Sequence, residues 1–193
     1  MTMPFDDTSA VPTEALLLLY ANGDREASRA LTMRLLPRVL SHAERVLGNR
    51  AEAEDIAQEA MLRLWKIAPD WRQGEAKVTT WLYRVVGNLC TDRLRRRRGV
   101  GLDEVPEPVD DQASPADRMQ ETARASALHA ALARLPERQA QAVILRHIEE
   151  LSNPEIAEIM DISVEAVESL VARGKRALTA DLAGQREELG IRE

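Results

Sequence analysis

Aromatic rings and cationic side chains occur together in one short part of this sequence, residues 65–88. All three tryptophans and one of the two tyrosines fall there, although aromatic residues make up only 3% of the chain. Such rings can stack an unpaired nucleic-acid base, and neighbouring cations can hold its phosphates. The residues that could bind an unwound strand in this way are Trp71, Arg72, Gln73, Lys77, Trp81, Arg84 and Asn88.

A second candidate site lies nearer the C-terminus, where residues 153–160 and 164–182 predict two helices separated by a tight turn. Ser152 and Glu155 have the spacing of a capping box, and Ser163 is a suitable N-cap for the longer helix. The buried stripe of that helix is predicted to be Val164, Val167, Val171, Gly174 and Leu178. This pattern is typical of a helix-turn-helix, whose second helix enters the major groove. The outward residues that could meet bases or phosphates are Glu165, Ala166, Ser169, Arg173 and Arg176.

The third candidate is a protein-binding surface on the predicted helix 52–68. One stripe of this helix is apolar and is predicted to be buried: Ala53, Ile56, Ala57, Ala60, Leu64 and Ile67. The opposite face is acidic and polar, but a leucine lies at its centre and a tryptophan at its edge. This composition suits docking onto a basic protein surface. The candidate docking residues are Asp55, Gln58, Glu59, Leu62 and Trp65.

Each of these sites also has a simpler structural interpretation. The acidic face could be solvated, because isolated exposed hydrophobic residues are normal on protein surfaces. Trp71 and Trp81 could pack in the core. Glu165 could serve only the helix dipole, and the arginines at 95–98 could do the same at the end of their helix. The residue types alone leave these alternatives open.

Patterns of catalysis or metal binding do not occur in the sequence. It has no Gly-rich phosphate loop and no nucleophile–base arrangement. Cys90 is the only cysteine and the three histidines are scattered, so we expect no disulfide, no metal site and no cofactor. No apolar run is long enough to span a membrane, and the acidic N-terminus does not resemble a signal peptide. We therefore expect a cytoplasmic protein without membrane insertion that is not an enzyme.

The elements that position these residues are all predicted to be helical, because helix formers dominate and no long apolar–polar alternation occurs. Residues 99–117 contain three prolines, two glycines and six acidic residues without a basic one, which predicts a flexible acidic linker. The predicted fold is therefore all-α, with two small helical domains and a helix-turn-helix in the second. The predicted division is a disordered N-terminus at 1–12, a domain at 13–98, the linker at 99–117 and a domain at 118–193.

The helix boundaries follow from hydrophobic periodicity and from prolines. Before the linker we predict helices at 14–20, 25–47, 52–68 and 79–97, and after it at 115–134, 137–149, 153–160 and 164–182. Thr13 is the predicted N-cap of the first helix, and Ser114 resembles an N-cap for the fifth. Pro37 predicts a kink or break in the second helix, and Pro69 is predicted to stop the third.

The charge distribution bears on how DNA could be bound. The net charge is −6, yet basic residues concentrate in the run at 93–98. A domain that holds DNA on its own is normally basic as a whole. We therefore expect DNA binding to depend on a partner protein.

Several segments in this order resemble the extracytoplasmic-function (group IV) sigma factors of bacterial RNA polymerase. They are AEDIAQEAMLRLW at 53–65, TWLYRVVGN at 80–88, LPER at 135–138, and the segment 151–178 with its ending RGKRAL. The resemblance covers about residues 14–98 and 118–182.

The resemblance implies that the first domain is sigma region 2 and the second is region 4. In that case the acidic helix docks on the clamp helices of the largest subunit of core RNA polymerase. The Trp71 loop and the helix through Asn88 would bind the minus-ten element of promoter DNA, and the helix-turn-helix would read the minus-thirty-five element. The resemblance also implies an anti-sigma factor and a stress or envelope-response regulon.

The two promoter elements of such factors lie on the order of 70 Å apart, at ~34–36 Å per DNA turn. The linker can extend to about 65 Å, which suits domains that separate on DNA. Two other functions stay open at this point. A stand-alone helix-turn-helix regulator would bind duplex DNA without polymerase, which the acidic net charge disfavours. An all-α enzyme is the other, and no catalytic pattern supports it.

Overall fold

The computed structural model describes residues 11–72, 74, 77–100 and 115–183. Regular structure in these residues is helical throughout, so the predicted all-α fold is confirmed. The helices are α1 (Thr13–Ala21), α2 (Arg25–Leu47), α3 (Arg50–Ile67), a 3-10 turn (Ala68–Asp70), α4 (Val78–Val100), α5 (Pro115–Arg134), α6 (Glu137–His147), α7 (Asn153–Met160) and α8 (Val164–Ala183).

The N-termini of α2 and α3 are capped by side chains. The Asp24 carboxylate accepts hydrogen bonds from the backbone N–H groups of Glu26 and Ala27, and Asn49 accepts one from Glu52. Such caps satisfy backbone donors that have no partner within the helix. The first helix differs from the prediction, because its N-cap is Pro12 and Thr13 is its first helical residue.

Of the two prolines considered in the sequence analysis, Pro37 acts differently from the prediction, whereas Pro69 ends its α-helix as predicted. Helix α2 continues through Pro37 without a break. Leu35 and Val39, two positions before and after it, are fully buried, and their packing offsets the lost backbone hydrogen bond. Pro69 lies within the 3-10 turn that follows α3, so α3 ends at Ile67, one residue before the predicted end.

The predicted linker 99–117 is helical at both ends. Helix α4 extends to Val100 and α5 begins at Pro115. Residues 101–114, including the proposed cap at Ser114, lie outside the described residues. Residues 1–10 of the predicted N-terminal segment do so as well.

The first half of the chain, α1–α4, has a core of its own. It is built from α1 residues Leu16 and Leu17, from leucines and alanines of α2, and from the predicted stripe of α3. The prediction for α3 missed Met61, which is buried, and included Ile67, which is only half-buried. Val86 and Cys90 of α4 complete this core.

The second half, α5–α8, buries two smaller clusters around α6. One contains Leu132, Ile144 and Leu178, and the other contains Leu145, Ile156 and Val167. Tyr83 of α4 also belongs to the second cluster and is only 8% exposed. A side chain of the first half is therefore buried in the core of the second.

The two halves lie against each other, with α2 contacting α5 and α6 and α4 contacting α7. Among the described residues, no helix is both long and apolar enough to cross a membrane.

Close packing between α6 and α8 depends on Gly174. A methyl group there would lie 2.6 Å from Cγ2 of the buried Val143 and 3.3 Å from the carbonyl oxygen of Gln139. We expect Gly174→Ala to destabilise the protein by up to about 2 kcal/mol, because overpacking costs about 1–3 kcal/mol and the gain in helix propensity is about 1 kcal/mol. Urea unfolding followed by circular dichroism measures this difference.

Gly87 of α4 is the matched control for this substitution. A methyl group there would meet the amide end of the Gln141 side chain, which can rotate away. Gly87→Ala should therefore change the unfolding midpoint less than Gly174→Ala. An equal or smaller effect of Gly174→Ala would contradict the tight α6–α8 contact.

Candidate functional site

The predicted docking residues lie along the outer face of α3. Four of them are exposed: Asp55, Gln58, Glu59 and Leu62. Leu62 is 47% exposed, a large fraction for an apolar side chain at the centre of an acidic face. Trp65 is half-buried, because its ring packs against Tyr20 with centroids 4.6 Å apart.

An apolar groove of about 330 Å³ lies beside these residues, between α2 and α3. Its lining includes Leu36, Leu40, Gln58, Leu62 and Trp65. Met33 of α2 is 70% exposed. An apolar groove flanked by acidic residues can accept an amphipathic helix that carries basic residues.

The tryptophans of the predicted strand-binding site contact each other. The rings of Trp71 and Trp81 meet edge to face with centroids 6.0 Å apart, and both pack against the core of the first half. The indole Nε1 of Trp71 is buried and has no acceptor among the described residues. This packing agrees in part with the interpretation that Trp71 and Trp81 are core residues. However, an indole N–H donor without an acceptor can still bind a ligand oxygen.

The polar members of this site lie around the start of α4. Arg84 and Asn88 are exposed and lie one turn apart on the same side, and Arg72 is exposed in the preceding loop. Gln73 lies outside the described residues.

Two cations of this site are bound to α7 of the second half. The Lys77 ammonium lies 2.8 Å from the Glu155 carboxylate, which raises the pKa of the lysine. The hydrogen bond from Lys77, together with those from Ser152, lowers the pKa of Glu155 to about 2. The Arg84 guanidinium donates to the carbonyl oxygen of Glu158. In this conformation α7 therefore covers part of the predicted strand-binding surface.

The arginine run at the end of α4 divides into two faces. Arg97 donates to the Glu52 carboxylate and, at 3.1 Å, to the carbonyl oxygen of Leu47. Arg93 lies 3.6 Å from the same carboxylate. Arg95 and Arg96, in contrast, are exposed. Arg93 and Arg97 thus hold α4 against α3 and are not available to DNA.

The helix-turn-helix has the predicted geometry. The capping box of Ser152 and Glu155 is present at the start of α7. Asp161 ends α7 in the left-handed conformation with φ 53°, and the Ser163 hydroxyl accepts the N–H of Ala166 at the start of α8. In the predicted stripe, Val167, Gly174 and Leu178 are buried and the two other valines are half-buried.

The outer face of α8 carries the predicted readout residues. Glu165, Ser169, Arg173 and Arg176 are exposed, and Ala166 is half-buried. The Glu165 carboxylate accepts hydrogen bonds from its own backbone N–H and from the Ser163 hydroxyl, which lowers its pKa. Glu165 thus serves the helix N-terminus here, while its side chain remains accessible to solvent.

Sequence analysis missed a buried polar cluster between the two halves. Glu149, just after α6, accepts a hydrogen bond of 2.7 Å from the Tyr83 hydroxyl and one of 2.8 Å from Arg45. Its carboxylate also lies 3.4 Å from Nδ1 of His42, which is fully buried. No local pattern points to this cluster, because the partners of Glu149 lie 66 to 107 residues from it in sequence.

Burial and hydrogen bonding act in opposite directions on Glu149. Burial disfavours the charged carboxylate, but the hydrogen bonds from His42 and Tyr83 and the charge of Arg45 outweigh it and lower the pKa. For the Tyr83 hydroxyl, burial and the adjacent carboxylate both raise the pKa. The cluster therefore holds an ionised carboxylate and a neutral phenol at neutral pH.

The part of the chain that the structure describes contains neither a candidate metal site nor a reactive thiol. No group of three or more His, Cys, Asp or Glu side chains there is placed to hold a metal ion. Cys90 is fully buried, and burial raises the pKa of its thiol to about 12, so the reactive thiolate is not populated.

Both halves of the chain match known protein families. Residues 31–100 match Sigma-70 region 2, and residues 125–178 match Sigma-70, region 4. The chain is 32% identical over 171 residues to the ECF RNA polymerase sigma factor SigW of Bacillus subtilis, an alignment that covers 83% of this chain and 91% of SigW.

The fold is similar to that of two solved structures. One is CnrH in complex with the cytosolic domain of CnrY, with a TM-score of 0.68 and 24% identity over 89% of this chain and 97% of that chain. The other is the sigma factor RpoE in complex with the anti-sigma factor NepR from Bartonella quintana. Its TM-score is 0.63 and its identity 21%, over 79% of this chain and 94% of that chain.

The two faces of the arginine run should respond differently to substitution. We expect Arg97→Ala to destabilise the protein by about 1–2 kcal/mol, because it removes charge-assisted hydrogen bonds in a half-buried position. Arg96→Ala, one residue away and exposed, should change stability by less than about 0.5 kcal/mol. Thermal unfolding of both variants tests this, and equal melting temperatures would contradict the division.

Proposed function

Since the chain belongs to the extracytoplasmic-function sigma factors, we propose that residues 13–98 form its region 2 domain and residues 118–193 its region 4 domain. The observation that supports this function is the match of both halves to sigma factor families. The chain is an alternative sigma factor, which recognises promoters in transcription initiation and is not an enzyme. This membership excludes the stand-alone regulator and the enzyme considered above.

The region 2 face of α3 is the proposed surface for core RNA polymerase, with Asp55, Gln58, Glu59, Leu62 and Trp65 as its contacts. Its support is the combination of exposed carboxylates, an exposed leucine and the adjoining apolar groove. The clamp helices of the largest polymerase subunit are the proposed occupant.

The loop before α4 and the exposed side of α4 form the proposed surface for the minus-ten element. Its contacts are Trp71, Arg72, Gln73, Lys77, Trp81, Arg84 and Asn88. Stacking of an unpaired base is worth about 1–3 kcal/mol, enough to favour the melted promoter. The paired rings and the cations around them support this role.

The outer face of α8 is the proposed surface for the minus-thirty-five element. Glu165 and Ser169 lie one turn apart, and Arg173 follows one turn later. A carboxylate can accept from a cytosine amino group, and an arginine can donate to guanine or to phosphate. Lys175 and Arg176, farther along, are the proposed phosphate contacts.

Three further properties belong to the same proposal. The protein works in the cytoplasm, where transcription occurs, and serves a stress or envelope-response regulon. It is inhibited by an anti-sigma factor. Support for this partner is the exposed groove on α3 and the fold shared with RpoE, whose solved complex contains the anti-sigma factor NepR.

Run-off transcription with purified core polymerase and genomic DNA fragments tests the function and locates the promoter. We expect specific transcripts with the wild-type chain and none with Asp55→Arg/Leu62→Glu, because this double variant reverses a charge and places a carboxylate at the centre of the docking face. The variant should also fail to co-purify with polymerase.

Leu128→Glu is the control for this variant, because Leu128 lies on α5, is 38% exposed and is neither one of the proposed docking residues nor part of the groove lining. Circular dichroism should show the same helicity for all three proteins. Normal polymerase binding by the soluble double variant would refute the proposed docking surface.

Sequence readout by α8 gives a separate prediction. Glu165→Ala should relax base preference at one or two positions of the upstream element, by about 1–3 kcal/mol of discrimination. Binding of the holoenzyme to a randomised upstream element measures this preference. If Glu165 only caps the helix, the variant will lose slight stability and keep its preference profile.

Arg176→Ala is the contrasting variant for the same measurement. Because a phosphate contact carries no sequence information, it should weaken binding to all sequences alike and flatten the salt dependence.

A further inference from the structure

One carboxylate of the proposed polymerase surface is paired with a cation of the helix that carries the proposed minus-ten residues. Asp55 of α3 is 70% exposed and lies 3.9 Å from the Arg93 guanidinium of α4. Glu59, on the same face of α3, pairs instead with Arg63 of its own helix. The Asp55–Arg93 pair therefore joins the proposed docking face of α3 to α4.

Arg93 is held loosely in this position. Its guanidinium lies 3.6 Å from the Glu52 carboxylate and 3.9 Å from that of Asp55, and both separations are longer than a hydrogen bond. Arg97 differs, because it donates two hydrogen bonds to Glu52 and a third to the carbonyl oxygen of Leu47. An ion pair as exposed as Asp55–Arg93 contributes little to stability, so a competing charge can replace either partner at small cost.

The exposed side of α4 continues the proposed minus-ten surface towards Arg93. Residues at intervals of four share one side of a helix, and the exposed ones here are Arg84, Asn88, Asp92 and Arg96. Arg96 lies about 18 Å along the axis from Arg84, which is the length of roughly five base pairs. Asp92 repels phosphate and offsets the charge of Arg96. Arg93 is three positions from Arg96 and hence its neighbour on the helix surface, so its charge would restore the attraction for phosphate.

We propose that Arg93 exchanges partners during initiation: a cation of the polymerase replaces it at Asp55, and Arg93 turns to the DNA backbone beside Arg96. The inference rests on the proposed docking surface of α3. In the free chain Arg93 is paired and is not available to DNA, whereas in the holoenzyme it adds one phosphate contact. Because this partner exchange links two binding events, polymerase and promoter DNA each strengthen the binding of the other.

The test compares Arg93→Gln with Arg96→Gln in the full chain. Both variants remove one positive charge from the same end of α4, so a general effect of net charge is equal in the two. Thermal unfolding followed by circular dichroism comes first. Because Arg93 is loosely held, Arg93→Gln should melt at nearly the wild-type temperature. A loss as large as that of Arg97→Ala would make Arg93 a structural anchor and would overturn the partner exchange.

Affinity for core polymerase is measured by displacement of the dye-labelled wild-type chain. In Arg93→Gln the Asp55 carboxylate has no cation of α4 to give up, so this variant should bind about two- to fivefold more tightly than Arg96→Gln. In the background of Asp55→Asn the two variants should bind equally, because the competing carboxylate is absent. Equal affinities in the presence of Asp55, or the same difference in its absence, would contradict the competition for Asp55.

Binding of the holoenzyme to promoter DNA over a range of salt concentrations measures the phosphate contact. The promoter is the one that run-off transcription locates. Loss of one phosphate contact reduces the slope of log affinity against log salt concentration by about one. We expect this reduction for Arg93→Gln, whereas Arg93→Lys keeps the charge and should keep the wild-type slope. A wild-type slope for Arg93→Gln would rule out the proposed contact with DNA.

The wild-type chain separates this inference from the function on which it rests. Its failure to bind core polymerase or to support transcription would refute the proposed function. Normal binding and transcription by the wild type, with equal polymerase affinities of Arg93→Gln and Arg96→Gln and an unchanged salt slope, would refute only the partner exchange.

Discussion

A carboxylate can leave water only where other groups supply the hydrogen bonds and positive charge that it loses. Glu149 meets this requirement with donors from two helices of the other half of the chain. The need to satisfy this one group fixes how the end of α6 lies on α2 and α4. The position of α7 over the start of α4 follows from it, because α7 begins a few residues later.

Local features of the fold were predictable because their causes are local. Helices α5 and α7 have the predicted boundaries, and the N-cap at Ser163 lies where the residue types place it. Hydrophobic periodicity, caps and turn residues act over three or four positions, so a single sequence reveals them. Pro37 is one exception, because tertiary packing around α2 outweighs the local cost of a proline, and the predicted N-cap at Thr13 is another.

Features that depend on tertiary contacts could not be predicted in this way. In the sequence, the arginine run has the composition of one basic patch. In the structure, Glu52 of α3 pairs with Arg93 and Arg97, whereas Arg95 and Arg96 are exposed. The pairing of Lys77 could not be predicted either, because its partner Glu155 is 78 residues away in sequence. The exposed residues of α3 were predictable, in contrast, because a helix wheel determines which side faces the core.

The separate cores of the two halves also have an evolutionary consequence. Substitutions inside one core are felt mainly within that half, so region 2 and region 4 can diverge independently. Positions 42, 45, 83 and 149 are different, because a change at one of them removes a contact made by a polar group of the other half. In descendants of this protein, these four positions should therefore change together, whereas most of the remaining sequence drifts separately in each half.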